Sequence, residues 1–146
     1  AWGLALDSCA AEMLVALGRG RHVLVATARG PDDPAVARFA DTLATSGAVP
    51  GPIHERIGEG LGSLVRRARE ELGLQRAVVA GGDTSGHAML AIGAEALEIV
   101  APLAPGSPLM RLRSHDARHD GLEIALKGGQ MGGPDLFLLA ATGDPA

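Results

Sequence analysis

Apolar residues in the first half of the chain recur at intervals of three and four, the spacing of a helix with one buried face. The pattern predicts three helices: one carrying Leu6 to Leu17, one from Ala35 to about Thr45, and a long one from Ile57 to Leu72 that ends at Gly73. Between the first two, the run HVLVAT at 22–27 is continuous and bounded by turn residues, which predicts a buried strand.

The second half of the chain contains short apolar runs separated by turn residues. They predict strands at RAVVAGG (76–82), ALEIV (96–100), LMRLR (109–113) and LEIALKGG (122–129), with a short helix after the first of them. APLAPGSP predicts a rigid loop, and the closing GPDLFLLAAT fits either a helix or a last strand. The predicted fold class is α/β, with a mostly parallel sheet flanked by helices and an antiparallel edge toward the C-terminal end.

Composition removes several classes of function. Aromatic residues make up 2% of the 146-residue chain and the net charge is −4, so neither base stacking nor a basic surface indicates a nucleic-acid partner. No apolar run reaches the length that spans a membrane. The single cysteine, Cys9, excludes an internal disulfide and a cysteine-based zinc site. A single domain over residues 1–146, in a reducing cytoplasm, is the expected organisation.

A glycine-rich turn follows the strand at 76–82 and opens the short helix. It consists of Gly81, Gly82, Asp83, Thr84, Ser85 and Gly86. Glycines allow a ligand to approach the backbone, and Thr84 or Ser85 is expected to cap the helix while neighbouring N–H groups point outward toward an anion. A plain tight turn with an N-cap explains the pattern equally well, so both interpretations stay open.

A second glycine cluster follows the strand at 122–129, in LKGGQMGGPDLF. Lys127 could neutralise a phosphate, while Gly129 and Gly132 present N–H groups or make room for a flat ring. A simple hairpin is the alternative. Two glycine turns at the ends of separate strands favour a ligand between them, and APGSP at 104–108 would form a stiff wall beside it.

Two histidines have the spacing of a metal pair, but their context argues against that role. His115 and His119 are four residues apart, yet they lie in a polar turn between predicted strands, where helical spacing does not apply. A solvated loop is the favoured interpretation.

Three motifs in register, AGGDTSG, APGSP and LKGGQMGGPDLF, resemble the C-terminal nucleotide-binding domain of the four-carbon acid sugar kinases. The resemblance implies ATP-dependent phosphorylation of a terminal hydroxyl on a 3-oxo-tetronate, erythronate or threonate. It also implies that residues 82–85 lie along the nucleotide phosphates, that Gly129 and Gly132 flank the nucleotide, and that Lys127 is a charge partner. This chain departs from the family pattern at Gly128, Gln130 and Met131, where Ser, Asn and Phe are common.

The resemblance also implies cofactors and a missing part. ATP and Mg²⁺ are expected, with Asp83 holding Mg²⁺ directly or through water, although a capping carboxylate is an equal alternative. Family members carry an N-terminal half that binds the sugar acid, so we expect a fragment that lacks that domain and the first strand. The sugar acid would then reach the site through the missing domain, and a homo-oligomer is a further expectation. A non-catalytic nucleotide- or anion-binding module and a structural assembly domain remain as alternatives.

Overall fold

The computed structural model describes residues 2–30, 32–128 and 131–142. Five helices and four strands follow one another in these residues. They are α1 (Trp2–Gly18), α2 (Pro34–Ser46), α3 (Pro50–Leu72), β1 (Arg76–Ala80), α4 (Gly82–Ile92), β2 (Ala96–Ala104), β3 (Ser107–Arg113), β4 (Glu123–Lys127) and α5 (Leu136–Thr142).

The helices that periodicity predicts are present, with changes at their ends. α3 begins at Pro50, seven residues earlier than Ile57, and ends at Leu72 with Gly73 as its C-cap, as expected. Asp33 caps α2, where its carboxylate accepts from the N–H of Ala35 at 2.8 Å. This bond, with a second one from the Arg29 N–H, lowers the pKa of Asp33. The closing segment forms a helix, α5. None of the helices in the described ranges is long and apolar enough to cross a bilayer.

The α/β class is confirmed, but the expectation of a mostly parallel sheet is not. The four strands lie in the order β1-β4-β3-β2, and only β1 and β4 run parallel. β2 with β3 and β3 with β4 are antiparallel. The reason is the connection: β2 runs to Ala104 and returns as β3 from Ser107 through the two residues Pro105 and Gly106, where a rigid loop was predicted. A two-residue turn can join only antiparallel strands.

The prediction of a buried strand at 22–27 is wrong. The segment has no strand conformation, Leu24 is 73% exposed, and only Val25 packs against the cluster of α1 and α3. A strand requires ladder hydrogen bonds with a neighbour. β1 lies at one edge of the sheet, and among the described strands it pairs with β4 alone. The run 22–27 is therefore not paired with β1 or with any other described strand. The apolar composition of the run 22–27 is typical of a strand, but composition does not show whether a neighbouring strand is available to pair with it.

The sheet is covered on both faces. α4 lies over one face and α5 over the other, each burying its own cluster of aliphatic side chains. The first cluster contains Val79, Ala88, Met89, Ile92, Leu112, Leu122 and Ile124, and the second contains Leu103, Leu109, Ala125, Leu136 and Ala140. Burial of this apolar area is the main force that holds α4 in a fixed position against the end of β1.

α3 reaches α4 so closely that glycine is required at the contact. A Cβ on Gly62 would lie 2.6 Å from the carbonyl oxygen of Ala88 and 2.8 Å from its Cα. A Cβ on Gly58 would lie 2.6 Å from the Cβ of His87. Because the obstructing atoms at Ala88 belong to the backbone, they cannot move aside without shifting α4.

We predict that Gly62→Ala destabilises the protein although alanine favours helices. Overpacking of this kind costs about 1–3 kcal/mol, whereas relieving glycine in an open helix position gains about 0.5–1 kcal/mol. Gly86, in α4, is the matched control because a Cβ there meets nothing within 4 Å. Chemical denaturation should show a lower free energy of unfolding for Gly62→Ala and a higher one for Gly86→Ala. Equal gains in both variants would contradict the close contact.

Candidate functional site

The two glycine turns lie side by side at one edge of the sheet. β1 and β4 are parallel neighbours in which Ala80 pairs with Lys127, so both strands end at the same level. The N–H of Gly81 donates to the carbonyl oxygen of Lys127 at 2.9 Å, one step beyond the ladder. The turn after β1 and the turn after β4 are therefore joined by a backbone hydrogen bond.

The third motif reaches the same edge. β3 runs antiparallel to β4, so its first residues lie at the level where β4 ends. Gly106, in the turn before β3, contacts the side chain of Met131, whose terminal methyl would clash with a Cβ on Gly106. The structure thus brings together the three segments that carry the sequence motifs, at the carboxyl ends of β1 and β4. In open α/β sheets this is where ligands bind.

The turn at Gly81 differs in detail from the sequence prediction. Gly81 itself is the N-cap of α4, with φ 116° and ψ 133°, and no side chain caps the helix. The prediction that Thr84 or Ser85 caps it is therefore wrong. Because the helix begins at Gly82, Ser85 already lies one turn inside, where its hydroxyl donates to the carbonyl oxygen of Gly81 at 2.5 Å. Ser85 is buried and stabilises the turn from within.

The start of α4 has the properties of an anion-binding surface. The N–H groups of Gly82, Asp83 and Thr84, named here the first-turn amides, have no acceptor inside the helix. Gly82 and Asp83 are exposed, Thr84 is half-buried, and Gly86 is exposed one turn further on. A Cβ on Gly82 would meet no neighbouring atom within 4 Å, so the space beside Gly82 is open. The helix dipole adds a positive potential at this place.

The described residues of the second glycine cluster, 127–128 and 131–133, are named here the lysine–glycine segment and border that surface. Lys127 is half-buried, and its carbonyl accepts the bond from Gly81. Gly132 is half-buried at φ 85°, and a Cβ there would lie 3.0 Å from Cδ2 of Leu136. Gly129 and Gln130 lie outside the described residues. Of the proposed site residues in this segment, Lys127 and Gly132 can be located.

The histidines of the β3–β4 turn take different positions. His115 is exposed, and its ring bonds to Glu95, which raises the pKa of His115 and lowers that of Glu95. The solvated-loop interpretation is wrong for His119, which is 5% exposed, with Nε2 2.8 Å from Oε1 of Glu70. Arg69 pulls the turn onto α3 by donating to two of its carbonyls. No group of three or more His, Cys, Asp or Glu side chains in the described ranges could hold a metal ion.

The comparison with protein families agrees with the motifs. A family described as the nucleotide-binding C-terminal domain matches residues 2–137. The chain belongs to this family, the C-terminal nucleotide-binding domain of the four-carbon acid sugar kinases, and the resemblance inferred from the three motifs is confirmed.

Two curated kinases are similar to the chain over most of its length. The 3-oxo-isoapionate kinase of Paraburkholderia graminis is 42% identical over 128 residues, which are 88% of this chain. The 3-oxo-tetronate kinase of Cupriavidus necator is 35% identical over 127 residues, or 87% of this chain. The chain spans only 27% of the length of each of these relatives.

Solved structures share the fold. A domain of unknown function from Bordetella bronchiseptica, crystallised with citrate as a domain-swapped dimer, superposes with a TM-score of 0.57 at 23% identity, over 90% of this chain and 37% of that one. A Haemophilus influenzae protein gives a TM-score of 0.55 at 22% identity, over 75% of this chain and 24% of that one. At these identities the likeness concerns the fold alone.

Proposed function

We propose that this chain is the ATP-binding part of a kinase that phosphorylates a four-carbon sugar acid of the 3-oxo-tetronate, erythronate or threonate type. The observation that carries the proposal is the bond from the Gly81 N–H to the Lys127 carbonyl, at 2.9 Å. It joins two glycine turns at the carboxyl ends of parallel strands, beside exposed helix-start amides that suit phosphate oxygens. The kinase names of the two similar proteins support the same function.

The position of each site residue indicates its role in binding the nucleotide. The first-turn amides of Gly82, Asp83 and Thr84 bind the phosphates, since they are oriented along the dipole of α4 and Gly82 leaves the approach open. Ser85 holds the turn rather than touching the phosphates, because its hydroxyl is used by the Gly81 carbonyl. Lys127 supplies positive charge from the neighbouring strand end. Gly129 and Gly132 flank the nucleotide, and Gly86 keeps the next turn of α4 free of side chain.

Asp83 is the residue that would hold Mg²⁺. It is exposed in the first turn of α4, next to the amides that we assign to the phosphates. A lone carboxylate suffices, because Mg²⁺ bound to a nucleotide keeps several waters and takes one or two protein carboxylates. The metal would neutralise charge on the phosphates, and the amides would set their position.

The acceptor site belongs to the part of the parent protein beyond this chain. We therefore expect the 146-residue chain to bind Mg-ATP weakly, at millimolar nucleotide, without turnover. Kinase assays of the full-length parent with a panel of four-carbon sugar acids test the catalytic assignment. Binding without phosphorylation of any panel member would favour a non-catalytic nucleotide- or anion-binding module. A cytoplasmic location and homo-oligomerisation stay predictions.

We predict that Gly82→Val abolishes Mg-ATP binding and leaves the fold intact. The branched side chain would stand in the open space before the first-turn amides and obstruct the phosphates. Because it meets no protein atom there, the free energy of unfolding should change by no more than about 0.5 kcal/mol. Calorimetric titration with Mg-ATP and chemical denaturation measure the two effects.

Gly3→Val is the matched control, since Gly3 also lies in the first turn of a helix and a Cβ there meets nothing within 4 Å. It should bind Mg-ATP like the unmodified chain. Normal binding by Gly82→Val would show that this turn is not the site. Absence of Mg-ATP binding by the unmodified chain would favour an assembly domain whose glycine turns are only structural.

For the metal, we predict that Asp83→Asn changes ATP binding in opposite directions with and without Mg²⁺. The carboxylate attracts Mg-ATP through the metal but repels the bare triphosphate. Loss of a charge interaction of about 1 kcal/mol corresponds to about fivefold in the dissociation constant. Titrations in excess Mg²⁺ and in chelator should show weaker and tighter binding respectively. Asp41→Asn, an exposed carboxylate on α2, is the control that should change neither. Unchanged affinity of Asp83→Asn in both conditions would leave Asp83 only a helix-start residue.

A further inference from the structure

Met131 connects the lysine–glycine segment to the turn between β2 and β3. Gly106 in that turn has φ 72°, a conformation that favours glycine, and the terminal methyl of Met131 lies too close to the position of a Cβ on Gly106 for both to be present. Sδ of Met131 lies 3.8 Å from the same position. The side chain therefore rests on the backbone of Gly106, in a space that any other residue at 106 would fill.

Met131 also contacts Gly128 within the lysine–glycine segment. The N–H of Met131 donates to the carbonyl oxygen of Gly128 at 3.0 Å. Cγ of Met131 lies 3.5 Å from the place of a Cβ on Gly128. The lysine–glycine segment is thus held near its start by the bond between Gly81 and Lys127, and beyond Gly128 by the contact of Met131 with Gly106.

We propose that Met131 is a positioning residue for the nucleotide. By resting on Gly106 it fixes its own backbone and, through the bond to the Gly128 carbonyl, that of Gly128, at the edge where the first-turn amides of α4 lie. A glycine-rich segment without this contact would have to be ordered when the nucleotide binds, and that ordering lowers affinity. This inference rests on the proposed function, and it concerns a residue that acts through the backbone rather than by touching the phosphates.

Met131→Ala tests the role directly. Loss of the contact should weaken Mg-ATP binding about three- to tenfold, the range expected for ordering one or two flexible groups. Because Met131 is 49% exposed, its removal should leave the thermal unfolding midpoint nearly unchanged. Leu4→Ala, which removes a 77% exposed apolar side chain from α1, is the control and should bind like the unmodified chain.

Gly106→Ala provides the second arm, because a Cβ at 106 displaces the Met131 methyl. If both residues act through one contact, Gly106→Ala and Met131→Ala should each lower the affinity for Mg-ATP. The double variant should then have about the same affinity as the single variant that binds less tightly. Fully additive losses would contradict a shared contact.

A nuclear magnetic resonance measurement detects the contact between Met131 and Gly106 independently of its effect on Mg-ATP affinity. With methyl-labelled methionine, the Met131 methyl should show a nuclear Overhauser effect to the Hα atoms of Gly106, retained when Mg-ATP is added. Unchanged Mg-ATP affinity in Met131→Ala, while the unmodified chain binds, would overturn the positioning role and leave the proposed function standing. Failure of the unmodified chain to bind Mg-ATP would overturn both.

Discussion

The hydrogen bond from the Gly81 N–H to the Lys127 carbonyl is the constraint on which the rest of the site depends. It continues the parallel pairing of β1 with β4 by one residue, and so it fixes the distance between two turns that are 46 positions apart in sequence, counted from 81 to 127. Gly81 can make this bond and begin α4 because it adopts a φ of 116°, which side chains disfavour. Both turns therefore present their backbone at one place.

Packing then holds the start of α4 where the turn leaves it. The aliphatic cluster on one face of the sheet fixes α4 from below, and α3 crosses it at Gly58 and Gly62 with no space for a side chain. The Ser85 hydroxyl donates a hydrogen bond to the Gly81 carbonyl, and this bond holds the first turn of α4 without exposing a further polar group. Such a start can receive charge without rearranging, which is what binding of phosphates requires.

The sequence predicted this arrangement as far as local chemistry determines it. Helical spacing identified α1 to α4, and strand ends followed by glycines indicated where a ligand would lie. Contacts between residues distant in sequence could not be predicted. His119 is buried against Glu70, 49 positions away, and no pattern in the sequence around either residue indicates this contact. The Met131 contact could not be predicted for the same reason, although the glycine of the Pro105–Gly106 turn is a position that a neighbouring side chain can approach closely. The run 22–27 failed because a strand depends on a partner that periodicity does not reveal.

If the two turns bind one nucleotide together, the amide resonances of both turns must respond to the same binding event. In a ¹H–¹⁵N spectrum of the labelled chain titrated with Mg-ATP, we expect the amides of Gly82, Asp83 and Thr84 to shift with the same saturation curve as those of Gly128 and Gly132. A single dissociation constant for both groups of amides would express one shared ligand. Shifts confined to one turn, or two curves with different midpoints, would contradict a shared nucleotide site.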